Sequence, residues 1–120
     1  MRDLTRGGLA SGLNELAISA GKAIEIEEHA VPIRGQVLAV CNLLGLDPYQ
    51  IANEAKCIIV CSAGTAEQVL EAIRRHPYGT EARRIGTIVP QENPIVVGRT
   101  AVNARRVIEM PSGRLLPRIC

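Results

Sequence analysis

The stretch Lys56-Cys57-Ile58-Ile59-Val60-Cys61 is a continuous apolar, largely β-branched run, and Thr65–Arg75 follows it closely with Ala66, Val69, Leu70 and Ile73 recurring on one helical face. An unbroken apolar run of that length reads as a central strand covered on both faces. A strand followed at once by an amphipathic helix places the chain in the α/β (α+β) class.

Working toward the N-terminus, Asp47-Pro48 is an N-cap and first-turn pair for a short helix through Ala52. Gly35–Leu44 (GQVLAVCNLL) reads as a helix stopped by Gly45, and Val31-Pro32-Ile33 as an extended turn. Ala23-Ile24-Glu25-Ile26-Glu27 alternates as a half-buried strand should. Residues 9–20 carry Leu9, Leu13, Leu16, Ala17 and Ala20 at helical spacing, with Gly21 as the stop. Toward the C-terminus, Ile85–Val89 and Ile95–Val97 read as strands around the turn Gln91-Glu92-Asn93-Pro94, and Ala101–Met110 as another strand. Pro111-Ser112-Gly113 then breaks the chain. The expected organisation is one domain over residues 1–110 and a flexible tail over 111–120 that ends in a cysteine.

The chain has 120 residues, 47% of them hydrophobic, a net charge of +2, and only Tyr49 and Tyr78 as aromatic residues. The core must be built from Ile, Val, Leu and Ala. The small charge and the missing aromatic platform exclude a nucleic-acid binder of the usual kind. High apolar content with low net charge excludes disorder. No apolar run reaches the ~18 residues of a membrane helix, and Met1–Arg6 lacks the apolar stretch of a secretory signal. The cysteines at 41, 57, 61 and 120 are too sparse for a secreted disulfide framework, so a cytoplasmic location is expected.

Three places carry candidate chemistry. Arg2-Asp3-Leu4-Thr5-Arg6-Gly7-Gly8 precedes a helix: two glycines, a hydroxyl, a guanidinium and a helix N-terminus suit a phosphate or carboxylate. The alternative is a cap in which Asp3 or Thr5 satisfies the first turn. Glu54, entering the apolar run, is either a base whose pKa is raised by apolar neighbours or a solvated carboxylate paired with Lys56. Cys120, the last residue, is either a mobile reactive thiol or a chance cysteine at a frayed end. Cys57 and Cys61 share a strand face but have no nearby His or third Cys, which argues against zinc; with Cys41 they read as small core residues. The pairs Arg74-Arg75, Arg83-Arg84 and Arg105-Arg106 read as solvated faces, any of which could instead bind a protein partner.

Taken together, Met1-Arg2-Asp3-Leu4-Thr5-Arg6-Gly7-Gly8-Leu9-Ala10, Leu13–Ala17, Leu43-Leu44-Gly45-Leu46-Asp47-Pro48, Ala52-Asn53-Glu54 with Lys56, His76-Pro77 and the closing Leu116-Pro117-Arg118-Ile119-Cys120 resemble the C-terminal part of the hydrogenase maturation factor HypE, a carbamoyl dehydratase. The resemblance spans the whole chain. Its first motif is shared with aminoimidazole ribonucleotide synthetase, thiamine-monophosphate kinase and selenophosphate synthetase; its last is far more specific.

The resemblance implies a synthetase-type C-terminal domain: a mixed sheet with helices on its faces, partly ferredoxin-like. It implies that the carbamoyltransferase HypF loads a carbamoyl group onto Cys120, and that ATP is used to dehydrate the thiocarboxamide to a thiocyanate. Cyanide would then pass to a HypC–HypD complex. By matching position Glu54 is the base, and Asp3, Thr5, Arg6, Gly7 and Gly8 lie along the phosphate cleft. ATP and Mg2+ would be held mostly by an N-terminal domain that this chain does not carry, so the chain alone is expected to be inactive; the full-length form would be a homodimer. Ala55 stands where the family usually has glycine, so a backbone with φ > 0 there would be strained. Two rivals are a non-catalytic partner-binding module and a thiol redox or metal protein built on Cys57 and Cys61.

Overall fold

The computed structural model describes residues 1–112. The elements are β1 (Arg2–Asp3), α1 (Gly8–Ala20), β2 (Ala23–Glu27), α2 (Gly35–Leu44), β3 (Cys57–Ile58), α3 (Ala66–Arg74), β4 (Gly86–Val89), β5 (Val96–Arg99) and β6 (Arg105–Val107), with single helical turns at Glu28–Ala30, Pro48–Gln50, Ala63–Thr65 and Pro77–Gly79. Four strands form a sheet in the order β4-β2-β5-β6. The β2–β5 pair is parallel and the other two are antiparallel, so the sheet is mixed, as expected.

Alternation in β2 divides the sheet. Ile24 and Ile26 point to one face, where they meet Leu9, Leu13 and Ala17 of α1, together with Val96, Ile108 and Tyr49, in one buried cluster. Ile26, Val96 and Cys41 are the largest fully buried side chains. Ile26 and Val96 each contribute about 1.5–3 kcal/mol of transfer free energy. The opposite face carries a charge ladder in place of aromatics: Glu25 accepts hydrogen bonds from both Arg99 (3.1 Å) and Arg105, and Arg99 also faces Glu27 at 3.5 Å.

Four readings of the sequence need correction. The run at 56–61 is a strand only at Cys57–Ile58, paired with β1 in a separate two-stranded ladder and not in the middle of the main sheet. β1 offers only Arg2 and Asp3 as partners, so the ladder stops there, and Ile59 and Val60 are exposed. Within β3, Ile58 turns inward and Cys57 outward, while Cys61 lies beyond the strand; both cysteines are exposed, and among the described cysteines only Cys41 is a core residue.

The segment Ala101–Met110 is a strand only at Arg105–Val107. Its first part is a hairpin turn: Thr100 N–H donates to Ala104 O (2.9 Å), and Asn103 takes φ +60°. The short helix after Asp47 is a single turn, capped by Asp47 Oδ1 at Tyr49 N–H (2.9 Å). α2 has the predicted bounds, yet only Cys41 on it is buried; Val37, Val40, Leu43 and Leu44 are exposed. An open apolar groove of about 290 Å³ lies between α2 and the Leu46 and Ile51 side chains. No helix among the described residues is long and apolar enough to cross a membrane.

One close contact joins the start of α1 to the rest. Gly8 takes φ +61°, and a Cβ there would collide with the carbonyl oxygens of Ile51 and Tyr49, the latter at 2.6 Å. Positive φ costs an L-residue roughly 1–2 kcal/mol, and here backbone, not a flexible side chain, stands in the way. Gly8→Ala is therefore expected to destabilise the fold by about 3 kcal/mol or more, read as a lower denaturation midpoint in urea. An unchanged midpoint would show that the contact is not tight.

Candidate active site

The N-terminal motif folds in two steps. Asp3 Oδ1 accepts from Thr5 N–H (3.2 Å), closing the turn that leads into α1. Neither Asp3 nor Thr5 caps the helix itself: the N-cap is Gly7, in left-handed conformation at φ +64°, with no side-chain hydrogen bond to the first turn. Thr5 is half-buried and Arg6 exposed beside that uncapped end. Arg2 is used structurally. Its Nε donates to Glu15 Oε2 at 2.5 Å, and its Nη1 to Asp3 Oδ1 at 2.9 Å. The hydrogen bond from Arg2 holds the Glu15 carboxyl below the ordinary carboxylate range.

Glu54 is brought to this loop by backbone pairing. Leu4 O accepts from Asn53 N–H (3.0 Å), and Leu4 N–H donates to Lys56 O (3.1 Å). The two bonds on one residue bracket Glu54 and Ala55, and hold them level with the turn that begins at Asp3. Asn53 stiffens the bracket further: its Nδ2 donates to Ile51 O (3.0 Å) and its Oδ1 accepts from Lys56 Nζ (3.0 Å). The Glu54 residue is exposed at the surface of this loop. Ala55 adopts φ +56°, the left-handed conformation that favours glycine.

The exit of the chain leads to the same place. Beyond β6 the backbone runs back along α1 toward its start. Ile108 O accepts from the buried Asn14 Nδ2 (2.9 Å), Ser11 Oγ donates to Met110 Sδ (3.4 Å), and Pro111 lies next to Gly7. A Cβ on Gly7 would collide with Ser11 Oγ and lie 3.7 Å from Pro111 Cγ. Sequence reasoning missed Asn14 and Ser11 in this role: both are short polar residues inside a helical pattern, and nothing local says what they bind. Cys120 and most of the tail lie outside the described residues.

The second rival finds little here. Cys41, Cys57 and Cys61 are free thiols, and among the described residues no three His, Cys, Asp or Glu side chains converge on a point where a metal ion would sit. The donor set at residues 3–8 fits an anion, such as a phosphate of ATP, and does not fit magnesium on its own.

Comparison with known proteins places the fold in a family. Residues 1–99 match the family model described as AIR synthase related protein, C-terminal domain. The chain belongs to this family. Within it, the chain is 48% identical over 120 residues to carbamoyl dehydratase HypE of Azotobacter vinelandii, covering 100% of this chain and 35% of that protein. It superimposes with a TM-score of 0.88 and 41% identity on a crystal structure of hydrogenase maturation protein HypE in complex with ATP, covering 99% of this chain and 37% of that one. It superimposes on a crystal structure of a HypE–HypF complex with a TM-score of 0.85 at 34% identity, covering 92% and 35%. The chain thus spans about a third of the length of the relatives it matches. The mixed sheet with helices belongs to the fold of this family.

Ala55→Gly removes the strain at φ +56°. It is expected to stabilise the domain by about 1 kcal/mol, a rise of several degrees in Tm. A drop in Tm would mean that the left-handed conformation at 55 is not held in solution.

Proposed function

We propose that this chain is the C-terminal domain of a HypE-type carbamoyl dehydratase, in which Cys120 carries the substrate and Glu54 acts on it. In this reading HypF transfers a carbamoyl group to Cys120, giving a thiocarboxamide. Dehydration then yields a thiocyanate on the same sulfur. When bound, ATP supplies a phosphoryl group that makes the amide oxygen a leaving group; the oxygen departs in phosphate. What remains is to remove two N–H protons as the C≡N bond forms, and Glu54 is the base. Asp3, Thr5, Arg6, Gly7 and Gly8 line the phosphate side of the cleft, where the uncapped N-terminus of α1 favours negative charge. The magnesium ligands belong, in this reading, to the part of the relatives' length that this chain does not span. Domain 1–110 completes the cleft and tail 111–120 delivers the sulfur. HypC–HypD accepts the cyanide, the whole protein is a cytoplasmic homodimer, and this chain alone is inactive.

The observation that carries the reading is the convergence on Leu4 to Gly8. The Glu54 bracket hangs from Leu4, and the chain bound for Cys120 leaves the domain at Pro111, against Gly7. The chain takes nine residue steps from Pro111 to Cys120. Extended at about 3.3–3.6 Å each, they reach at most about 30 Å, enough for the sulfur to visit this cleft and to leave it.

The test incubates the chain with HypF, carbamoyl phosphate, ATP and the N-terminal part of a HypE relative. Intact mass should rise by one carbamoyl group and then fall by one water. Cys120→Ser should abolish loading; equal loading of that variant would eliminate the carrier role. Glu54→Gln should load normally and dehydrate about 10²-fold more slowly. Dehydration at the unaltered rate would remove Glu54 as the base.

A further inference from the structure

Arg106, on the exposed side of β6, meets two carboxylates and an aromatic ring at once. Its Nε donates to Glu28 Oε1 at 2.7 Å, its Nη1 to Asp47 Oδ2 at 3.4 Å, and its guanidinium carbon stands 5.3 Å from the centroid of the Tyr49 ring. Gly98, opposite it on β5, leaves the space: a Cβ there would strike Glu28 Oε1. Tyr49 is buried, and burial, reinforced by Glu28, pushes its hydroxyl up to about 12. The phenol therefore stays neutral, and the guanidinium balances the two carboxylates around it.

We propose that Arg106 is a positioning residue for Glu54. Asp47 both contacts Arg106 and caps the turn at Tyr49. The carbonyls of Tyr49 and Ile51 rest on Gly8, Ile51 O accepts from Asn53, and Asn53 N–H donates to Leu4 O. Each step is a direct contact, so a single cation on β6 fixes the turn, the turn fixes Asn53, and Asn53 precedes the base. Misplacement of a reacting group by about an ångström costs up to about 10²-fold in rate, which is the scale such a residue can control. The inference rests on the role proposed for Glu54, and the experiment separates the two.

Hydrogen exchange is measured on the chain itself and dehydration in the reconstituted assay, for Arg106→Gln and for Asp47→Asn, which keeps the cap but weakens the ion pair. The expected result is about 10-fold faster exchange at Asn53 and Leu4, with β2 and β5 amides unchanged. Dehydration should slow about 10-fold in kcat with KM for ATP unchanged, and should slow no further when Arg106→Gln is added to Glu54→Gln. Unaltered exchange at Asn53 overturns the proposal. So does equal slowing in the presence and absence of Glu54, which marks a merely structural role, and so does a raised KM for ATP with kcat unchanged. Altered exchange alongside a harmless Glu54→Gln overturns it through the loss of the base, and identifies that parent reading as the one that failed.

Discussion

Glycine 8 has no side chain, and the arrangement of the cleft depends on that. At φ +61° its backbone presses against the carbonyls of Tyr49 and Ile51, a contact that no other residue type permits without shifting the main chain. The contact places the Asp47–Ile51 turn on the first turn of α1. From there the chain needs only two residues to reach Asn53, and the hydrogen bond from Asn53 to Leu4 closes the loop that carries Glu54. A glycine that reads in the sequence as room for a ligand thus makes room first for the protein's own turn. Its neighbour Gly7 serves the other side in the same way, where Ser11 and Pro111 crowd it.

Helix α1 is the common support for these parts. Its buried face lies on β2 and β5, and its N-terminal half receives β1, the turn after α2 and the exit segment beyond β6. Asn14 shows how the polar part of that packing is satisfied: its amide donates to Ala10 O within the helix and to Ile108 O across it. Losing the amide would leave the Ile108 carbonyl buried and unpaired, which costs about 1–3 kcal/mol. With so few aromatic residues, much of the remaining specificity comes from ion pairs: Arg2 with Glu15, Arg105 and Arg99 with Glu25, Arg106 with Glu28. Exposed pairs of this kind contribute little to stability individually. Their value here is in fixing which backbone segments lie side by side.

The sequence made the helices and the periodic strand legible. α1 and α2 fall within a residue of their predicted bounds, and the alternation in Ala23–Glu27 locates the core face of the sheet. It did not reveal pairing. Residues 56–61 have the β-branched composition of an inner strand, but composition carries no information about the neighbour, and the neighbour β1 is two residues long. Arg105-Arg106 reads as a solvated face and both residues are exposed, but the carboxylates they meet there lie 80 and 78 residues away in sequence and were not legible. For the site, residue types and motif order were legible, and so was the cost of alanine at 55, because those are local properties. That the exit of the chain returns to Gly7 was not, since it rests on Asn14 and Ser11, whose partners are long-range.

The central claim is that the terminal sulfur and the Glu54 loop belong to one cleft at the start of α1. Disulfide trapping tests it most directly. With Cys41, Cys57 and Cys61 replaced by alanine, a cysteine is introduced either at Glu54 or at Ser19, which is exposed at the far end of the same helix. Under mild oxidation the Glu54→Cys chain should cross-link to Cys120 at least about ten times faster than the Ser19→Cys chain, because effective concentration falls steeply with distance. Equal rates, or faster trapping at Ser19, would contradict the account.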